Sequence, residues 1–158
     1  MALIKVGEAA PDFNLLNQHS KSISLSEFFG KKNVFFYFYP KAMTPGCTVQ
    51  ACGVRDNSDD FSELDTIVLG ISPDNYSRLA RFEENQKLNF DLLSDEEHSG
   101  TESYGWGGMK KFMGKEYIGV LGSTFIIDKK ELVVHIIDKV NTKKHHQDVL
   151  SWVKENLL

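Results

Sequence analysis

The segment that most constrains the fold is residues 33–39, which read Asn-Val-Phe-Phe-Tyr-Phe-Tyr. After the asparagine, apolar and aromatic residues follow one another without the polar alternation of a half-exposed strand. A strand of this kind is covered on both faces, as at the centre of an α/β sheet. Residues 66–72, Thr-Ile-Val-Leu-Gly-Ile-Ser, form a second such run. Because a chain of 158 residues can bury a core around two such strands, we expect one domain over residues 1–158.

The remaining patterns predict a mixture of strands and helices. The predicted elements are short strands at 11–16 and 22–25, a helical turn at 26–30, a loop at 40–46, helices at 47–57, at 73–87 and from 141 onwards, and a hairpin of strands at 123–128 and 132–137. A parallel β-α-β core followed by a hairpin and a closing helix predicts a three-layer α/β sandwich, with a mixed central sheet flanked by helices. This is the thioredoxin-like arrangement.

Charge and hydropathy argue against several classes of partner. Eighteen Lys and Arg against 22 Asp and Glu give a net charge of −4, so we expect no nucleic acid and no membrane as partners. The longest apolar run, residues 34–39, is far shorter than the roughly 20 residues that span a bilayer. Residues 1–8 lack the pattern of a secretory signal, so a cytoplasmic location is expected. In that reducing compartment, two cysteines favour redox chemistry or metal binding over a structural disulfide.

Cys47 follows the loop after the first buried strand and is predicted to lie in the first turn of a helix. Open α/β sheets bind ligands at the carboxyl ends of their strands, and the unpaired N–H groups of a helix N-terminus favour a thiolate over a thiol. The nearby Thr44 supplies a hydroxyl that could hydrogen-bond the sulfur or a bound oxygen. The alternative is that Cys47 is a small buried apolar residue, as free cysteines often are. Position alone leaves both interpretations open.

Cys52 lies five residues beyond Cys47. Five helical positions correspond to about 140° of rotation and about 7.5 Å of rise. The two Cα atoms would then lie roughly 8 to 9 Å apart, beyond the usual disulfide limit of about 7 Å. A bond between the two sulfurs therefore requires the helix to unwind. Two cysteines alone make a poor zinc site, so we expect no metal.

The segment around both cysteines resembles a known active site. In residues 39–52, Pro40, Thr44 and Cys47 have the spacing Pro-x-x-x-Thr-x-x-Cys, and a second cysteine follows at Cys52. This segment is similar to that of the peroxiredoxins, in particular the bacterioferritin comigratory protein (peroxiredoxin Q) branch. The resemblance extends along almost the whole chain, over residues 7–13, 106–115, 123–128 and the pair His145-His146.

The resemblance implies an antioxidant thiol peroxidase that reduces hydrogen peroxide and organic hydroperoxides. Cys47 would be the peroxidatic cysteine, oxidised to a sulfenic acid, and Cys52 the resolving cysteine that forms an intramolecular disulfide with it. Thioredoxin or a similar dithiol would reduce that disulfide. Thr44 would orient the peroxide and the sulfur, and Pro40 would shield the site from water. The resemblance implies no cofactor, because the thiolate carries out the redox chemistry itself.

The sequence departs from the family at one position. Relatives carry an active-site arginine immediately before the Ser/Thr-rich start of the late strand, and the aligned residue in this chain is Gly122. A fixed cation stabilises both the thiolate and the charge that develops on the peroxide oxygens. We therefore expect a slower peroxidase than its relatives, unless a lysine such as Lys41 supplies the charge. Arg55, on the same helix as Cys47, is expected to point away from the site.

Two other functions remain open from the sequence. A thioredoxin-type thiol–disulfide oxidoreductase would use the same fold, but it normally carries Cys-x-x-Cys rather than the Cys-x-x-x-x-Cys of this chain. A non-enzymatic redox sensor would use slow oxidation of the same cysteines. Elsewhere, His145 and His146 are interpreted as surface residues of the last helix, because adjacent positions point in different directions. No broad apolar face is evident, which favours a monomer.

Overall fold

The structure is a computed structural model that describes residues 4–39, 41–97, 99, 104, 109–112, 115–118, 123–137 and 141–157. Its strands are β1 Asn14–Asn17, β2 Ser22–Ser24, β3 Asn33–Phe38, β4 Thr66–Ser72, β5 Asp91–Ser94, β6 Met109–Phe112, β7 Lys115–Ile118, β8 Thr124–Ile127 and β9 Val133–Ile137. Its α-helices are α1 Pro45–Asp56, α2 Ser58–Glu63, α3 Tyr76–Gln86 and α4 His145–Asn156. A 3₁₀ helix covers Leu25–Phe28.

Seven of the strands form one mixed sheet in the order β2-β1-β5-β4-β3-β8-β9. β3 lies near its centre, parallel to β4 and antiparallel to β8, and β4 is also parallel to β5. β6 and β7 form a separate antiparallel pair. The parallel β3–α1–β4–α3–β5 unit brings the carboxyl ends of these three strands to one edge of the sheet. The predicted mixed sheet with flanking helices is therefore observed.

Alternate side chains of β3 face opposite sides of the sheet, and all six residues of the strand are buried. Phe35, Tyr37 and the following Tyr39 pack against apolar residues of α1, α2, α3 and α4. Val34, Phe36 and Phe38 pack on the other face with a second cluster that includes Phe13, Leu15, Ile23, Leu25 and Tyr104. This double coverage is the reason that the strand carries no polar alternation.

The helices begin at residues that differ slightly from the predicted ones, for local reasons. α1 begins at Pro45 rather than at Cys47, because proline suits the first helical position. Asn75 caps α3, since its Oδ1 accepts from the N–H of Arg78 at 2.8 Å. The Oδ1 of Asn141 accepts from the N–H of Lys143 at 3.0 Å, which forms a turn and delays the start of α4 to His145.

None of the helices within the described part of the chain combines the length and the apolar composition that a membrane span needs.

Candidate active site

Cys47 is the third residue of α1 and therefore lies in its first turn. Thr44, in extended conformation, is the residue that precedes the helix, and its carbonyl accepts from the Thr48 N–H at 2.9 Å. The side chain of Cys47 is 8% exposed. N–H groups of the first turn have no partner within the helix, and together they carry a partial positive charge that favours an anion. The structure thus brings Cys47 to the position that the sequence predicted.

Aromatic side chains at the end of β3 and immediately after it form the floor beneath Cys47. Tyr37 and Tyr39 belong to the same buried cluster as Cys47 and Ala42. Burial raises the pKa of each tyrosine above the ordinary tyrosine value. For Tyr37, the proximity of Tyr39 and of both cysteines raises the pKa further. Both phenols therefore stay protonated and uncharged at neutral pH. The sheet side of the site is buried and aromatic.

The loop between β3 and α1 is held by side chains from the end of β4 and from α3. The Ala42 N–H donates to Oδ2 of Asp74 at 2.7 Å, and Nη2 of Arg78 donates to the Ala42 carbonyl at 3.0 Å. Ser72 Oγ donates to the same carboxylate oxygen at 2.8 Å, and Arg78 Nε lies 3.0 Å from Asp74 Oδ1. Both backbone polar groups of the buried Ala42 are thereby paired.

This network was not predicted from the sequence, although a signal for it exists. Ser72 and Asp74 stand at the carboxyl end of β4, and β4 is the parallel neighbour of the strand that leads into the loop. Polar residues at the ends of adjacent parallel strands meet at one edge of the sheet. The four-residue spacing of Asp74 and Arg78 places them one helical turn apart.

Thr44 and Pro40 were the other two predicted site residues. Thr44 Oγ1 donates to the Lys41 carbonyl at 3.0 Å, so the hydroxyl proton is used within the loop. The lone pairs of the hydroxyl oxygen are then available to accept a hydrogen bond. Pro40 lies outside the described residues, and so does Gly122, where relatives carry the active-site arginine.

Cys52 lies on the same continuous helix and faces α3. Its side chain is half-buried, and Sγ lies 3.5 Å from Oε1 of Gln86, the last residue of α3. Both cysteines are free thiols. Because α1 is wound through both of them, they are separated by the helical distance derived above and cannot bond in this conformation.

A chain of buried polar side chains connects α1 to α4 and β8. Gln50 Nε2 lies 2.9 Å from His145 Nδ1, and His145 Nε2 lies 2.7 Å from Thr124 Oγ1. Since the Gln50 amide nitrogen can only donate, Nδ1 accepts and Nε2 carries the proton that is donated to Thr124. Burial, with a contribution from the adjacent His146, lowers the pKa of His145 to about 3, which keeps the imidazole neutral.

The surface position predicted for His145 is therefore wrong. Only 1% of this residue is exposed, and its ring packs edge-on against Phe35 and Tyr37 at centroid distances of 5.2 Å. The hydrophobic period of α4 shows which residues of the helix face inward, but it does not show that a polar residue in its first turn finds a partner on α1. Within the described residues, no group of three or more His, Cys, Asp or Glu could hold a metal ion.

Comparison with known proteins identifies the family. The model of the AhpC/TSA family matches residues 6–136. Peroxiredoxin Bcp of Escherichia coli strain K12 is 48% identical over 153 residues, which cover 97% of each chain. The crystal structure of peroxidoxin BcpB from Mycobacterium tuberculosis has a TM-score of 0.86 at 31% identity, over 97% of this chain and 98% of that one. The bacterioferritin comigratory protein of Xanthomonas campestris has a TM-score of 0.86 at 26% identity, over 92% of both chains.

These matches confirm the predicted thioredoxin-like fold and the resemblance on which the predicted activity rested. The matched span of the family model contains both cysteines, and the identity to the curated peroxiredoxin extends over nearly the full length of each chain. The chain is thus a thiol peroxidase that belongs to the AhpC/TSA family, in its Bcp (peroxiredoxin Q) branch.

Proposed function

We propose that Cys47 is the peroxidatic cysteine of this thiol peroxidase and that Cys52 is its resolving cysteine. The observation that carries the proposal is the placement of Cys47 in the first turn of α1, at the carboxyl edge of the parallel strands. There the N–H groups of the helix stabilise a thiolate, which is the reactive form of cysteine. The aromatic floor excludes water on the sheet side of the sulfur.

In the first step, the Cys47 thiolate attacks one peroxide oxygen. An S–O bond forms and the O–O bond breaks, so the sulfur is oxidised to a sulfenic acid while water or an alcohol leaves with a proton. Thr44 is proposed to orient the peroxide, because its oxygen can accept from the peroxide O–H while its own proton is held by the Lys41 carbonyl. Pro40 is proposed to shield the sulfur from water.

In the second step, the Cys52 thiol condenses with the sulfenic acid. The S–S bond forms, the S–O bond breaks and water leaves, which requires the cysteines to approach and α1 to unwind. Thioredoxin or a similar dithiol is the proposed reductant, since thiol exchange would return both cysteines to the reduced state. Cys52 is only half-buried, which supports access by such a partner.

The proposed substrates are hydrogen peroxide and organic hydroperoxides. The related bacterioferritin comigratory protein of Xanthomonas campestris has an alkyl peroxide reduction activity. In this chain, the half-buried side chain of Met43 packs against the buried cluster that contains Cys47. Apolar surface beside the sulfur would favour an alkyl group over water.

We also propose a cytoplasmic monomer formed by one domain over residues 1–158. Both cysteines are free thiols, which suits a reducing compartment. Among the described residues, the large apolar side chains that are exposed lie on four separate segments: Val6, Leu16, Val49 and Tyr76. Scattered apolar residues do not form the continuous patch of a stable interface. Light scattering coupled to size exclusion tests the oligomeric state.

Peroxide consumption coupled to thioredoxin and its reductase tests the function. The wild-type protein is expected to turn over, Cys47→Ser to be inactive, and Cys52→Ser to consume one equivalent of peroxide and then stop. Insulin reduction without peroxide consumption would indicate a thioredoxin-type oxidoreductase instead, and the absence of both activities would indicate a redox sensor. A Cys52→Ser variant that turns over normally would overturn the resolving role.

A further inference from the structure

The buried chain Gln50–His145–Thr124 takes no part in the chemistry proposed above, yet it joins three elements around the reactive helix. Gln50 lies on α1, His145 begins α4 and Thr124 begins β8. The three residues are 1%, 1% and 0% exposed. Completely buried polar side chains are found where their hydrogen bonds determine one specific conformation.

We infer that Gln50, His145 and Thr124 are positioning residues that keep α1 wound around Cys47 and thereby limit the rate at which Cys52 resolves the sulfenic acid. The inference rests on the proposed resolving role of Cys52. It concerns the balance between the wound and unwound forms of α1, and it does not require any of the three side chains to touch the peroxide.

Gln50 lies on α1 between the two cysteines. It is the third residue after Cys47 and the second before Cys52, so it lies inside the segment that must unwind before the two sulfurs can meet. Its side chain points inward to His145 rather than to solvent. Unwinding of residues 47–52 therefore breaks the contact between the Gln50 amide and Nδ1 of His145.

The surroundings of His145 are the second argument. When α1 unwinds, the Gln50 amide can reach water, whereas His145 stays on α4 beneath the rings of Phe35 and Tyr37. Its Nδ1 is then left as a buried acceptor without a donor, which is more costly than the loss of an exposed hydrogen bond. Thr124 contributes to this effect, because its hydrogen bond to Nε2 fixes the tautomer and the orientation of the ring. Nδ1 is thereby held as an acceptor that faces Gln50.

The consequence is a choice between two fates of the oxidised Cys47. Either the Cys52 thiol condenses with the sulfenic acid and releases water, or a second peroxide oxidises it to sulfinic acid and leaves as water or alcohol. The second reaction needs only the wound form, whereas the first needs the unwound one. Stronger hydrogen bonds among Gln50, His145 and Thr124 therefore lengthen the lifetime of the sulfenic acid and favour overoxidation at high peroxide concentration.

Two test variants and two controls test the inference. Gln50→Met removes the hydrogen-bond donor and keeps the side-chain volume, and Thr124→Val removes the hydroxyl and keeps the side-chain shape. Thr124→Ser is the first control, because it retains the hydroxyl. Val153→Ala is the matched control, because it creates a cavity in the same core on α4 without touching the polar chain. The readouts are rapid-quench mass spectrometry, which separates sulfenic acid, disulfide and sulfinic acid, and hydrogen exchange of the α1 amides in the reduced protein.

Gln50→Met and Thr124→Val are expected to form the disulfide on the order of tenfold faster, to need on the order of tenfold more peroxide for overoxidation, and to exchange the amides of residues 47–52 faster. The rate of the first oxidation is expected to change by less than about threefold, because the wound form still predominates. Thr124→Ser and Val153→Ala are expected to behave like the wild type in disulfide formation.

Equal acceleration by Val153→Ala, or an unchanged rate of disulfide formation in both Gln50→Met and Thr124→Val, would overturn the inference. If the wild-type protein itself forms no Cys47–Cys52 disulfide after one equivalent of peroxide, the resolving role in the proposed function fails instead. The wild-type measurement therefore distinguishes the two failures.

Discussion

The arginines illustrate how single residues determine the charge around Cys47. The chain contains three of them, Arg55, Arg78 and Arg81. Arg78 reaches the loop before Cys47, but its guanidinium is paired there with the Asp74 carboxylate. Arg55 donates to the Gln86 carbonyl at 2.5 Å and pairs with Asp56, which confirms that it points away from the first turn of α1. Neither Arg55 nor Arg78 therefore offers an unpaired guanidinium to the sulfur, whereas the N-terminus of α1 lies at Cys47 itself.

Restoring the family's arginine as Gly122→Arg is expected to accelerate the reaction of Cys47 with peroxide. A guanidinium beside the sulfur would stabilise the thiolate and the charge on the departing oxygen, and one such donor is typically worth on the order of 10²-fold in rate. Stopped-flow measurement of the first oxidation checks this, with Gly122→Met as a control of similar length without charge. Equal rates in folded Gly122→Arg and wild-type protein would show that the missing cation is not rate-limiting.

Sequence reasoning reached some residues of the site and not others. Cys47, Cys52 and Thr44 were predicted as site residues because they follow a fixed spacing within one short segment. Asp74 contacts Ala42, 32 residues away in sequence, and His145 contacts Gln50, 95 residues away, so only the fold brings them there. A spacing pattern does not report such contacts, because they depend on which strands are neighbours and which helix faces meet.

At the scale of elements, α1 carries both cysteines and is in contact with α3 and α4. The α3 contact is made by Cys52 and Arg55 with Gln86. The α4 contact is made by Gln50 with His145 and by Gly53 with His146. The segment around Cys52 is thus held on two sides, whereas the first turn of α1 is the part proposed to react with peroxide.

Oxidation by one equivalent of peroxide is expected to unwind α1 locally. The disulfide limit of about 7 Å between Cα atoms is not met while residues 47–52 are helical. Hydrogen exchange should therefore show loss of protection in this segment on oxidation, and mass spectrometry should find a Cys47–Cys52 bond. Cys52→Ser treated in the same way is the control, because it is oxidised without a disulfide. Full protection of α1 in disulfide-bonded protein would contradict the prediction.

Gly53 allows α1 and α4 to approach closely. A Cβ at this position would lie 2.4 Å from Nδ1 of His146 and 2.9 Å from its Cε1. Alanine gains about 1 kcal/mol over glycine inside a helix, so Gly53→Ala should stabilise the protein only when the imidazole is absent.

A double-mutant cycle measures this coupling. Gly53→Ala is expected to lower the free energy of unfolding in the wild-type background and to raise it in His146→Ala, with an interaction energy of about 1 kcal/mol or more. Urea unfolding of the four proteins gives the values. Additive effects of the two substitutions would show that the ring moves aside without cost.

β5 and α2 were missed from the sequence for a physical reason. β5 reads Asp-Leu-Leu-Ser and α2 reads Ser-Asp-Asp-Phe-Ser-Glu, so each holds too few apolar residues to show a period or a continuous run, whereas the equally short β8 reads Thr-Phe-Ile-Ile. β3, β4, β8, β9 and the three long helices were predicted, because their apolar residues recur over more positions or fill continuous runs. The boundaries of the helices then depended on caps such as Asn75, which the pattern does not locate.

At the scale of the whole molecule, the two faces of the sheet are closed by different means. Helices cover the face of Phe35 and Tyr37, and the polar chain through His145 crosses this otherwise apolar core. The other face, around Phe36, holds the stacked and edge-on rings of Phe13, Tyr104 and Phe125. A neutral imidazole in the first core makes the stability of the whole fold depend on pH.

The free energy of unfolding is expected to fall as the pH decreases below about 6.5, because His145 binds a proton more readily in the unfolded chain. Burial lowers its pKa to about 3 in the folded protein, so between these two values the unfolded state carries the additional proton. The contribution of His145 to the free energy of unfolding is complete above pH 6.5. It decreases by up to about 1.4 kcal/mol per pH unit as the pH falls toward 3.

Other groups titrate in or near this range and have to be separated from His145. Burial also lowers the pKa of His135. Lys129 and Lys32 lower the pKa of Asp65 to about 2, so the stabilisation that this carboxylate contributes is lost only as the pH falls below the ordinary aspartate pKa of 3.8. Urea unfolding of the wild type and of His145→Gln between pH 6.5 and 4.5 isolates the histidine. The slope of the free energy of unfolding against pH should be smaller in His145→Gln by up to about 1.4 kcal/mol per pH unit, which corresponds to one bound proton. Parallel slopes in the two proteins would mean that the buried imidazole is already protonated in the folded state.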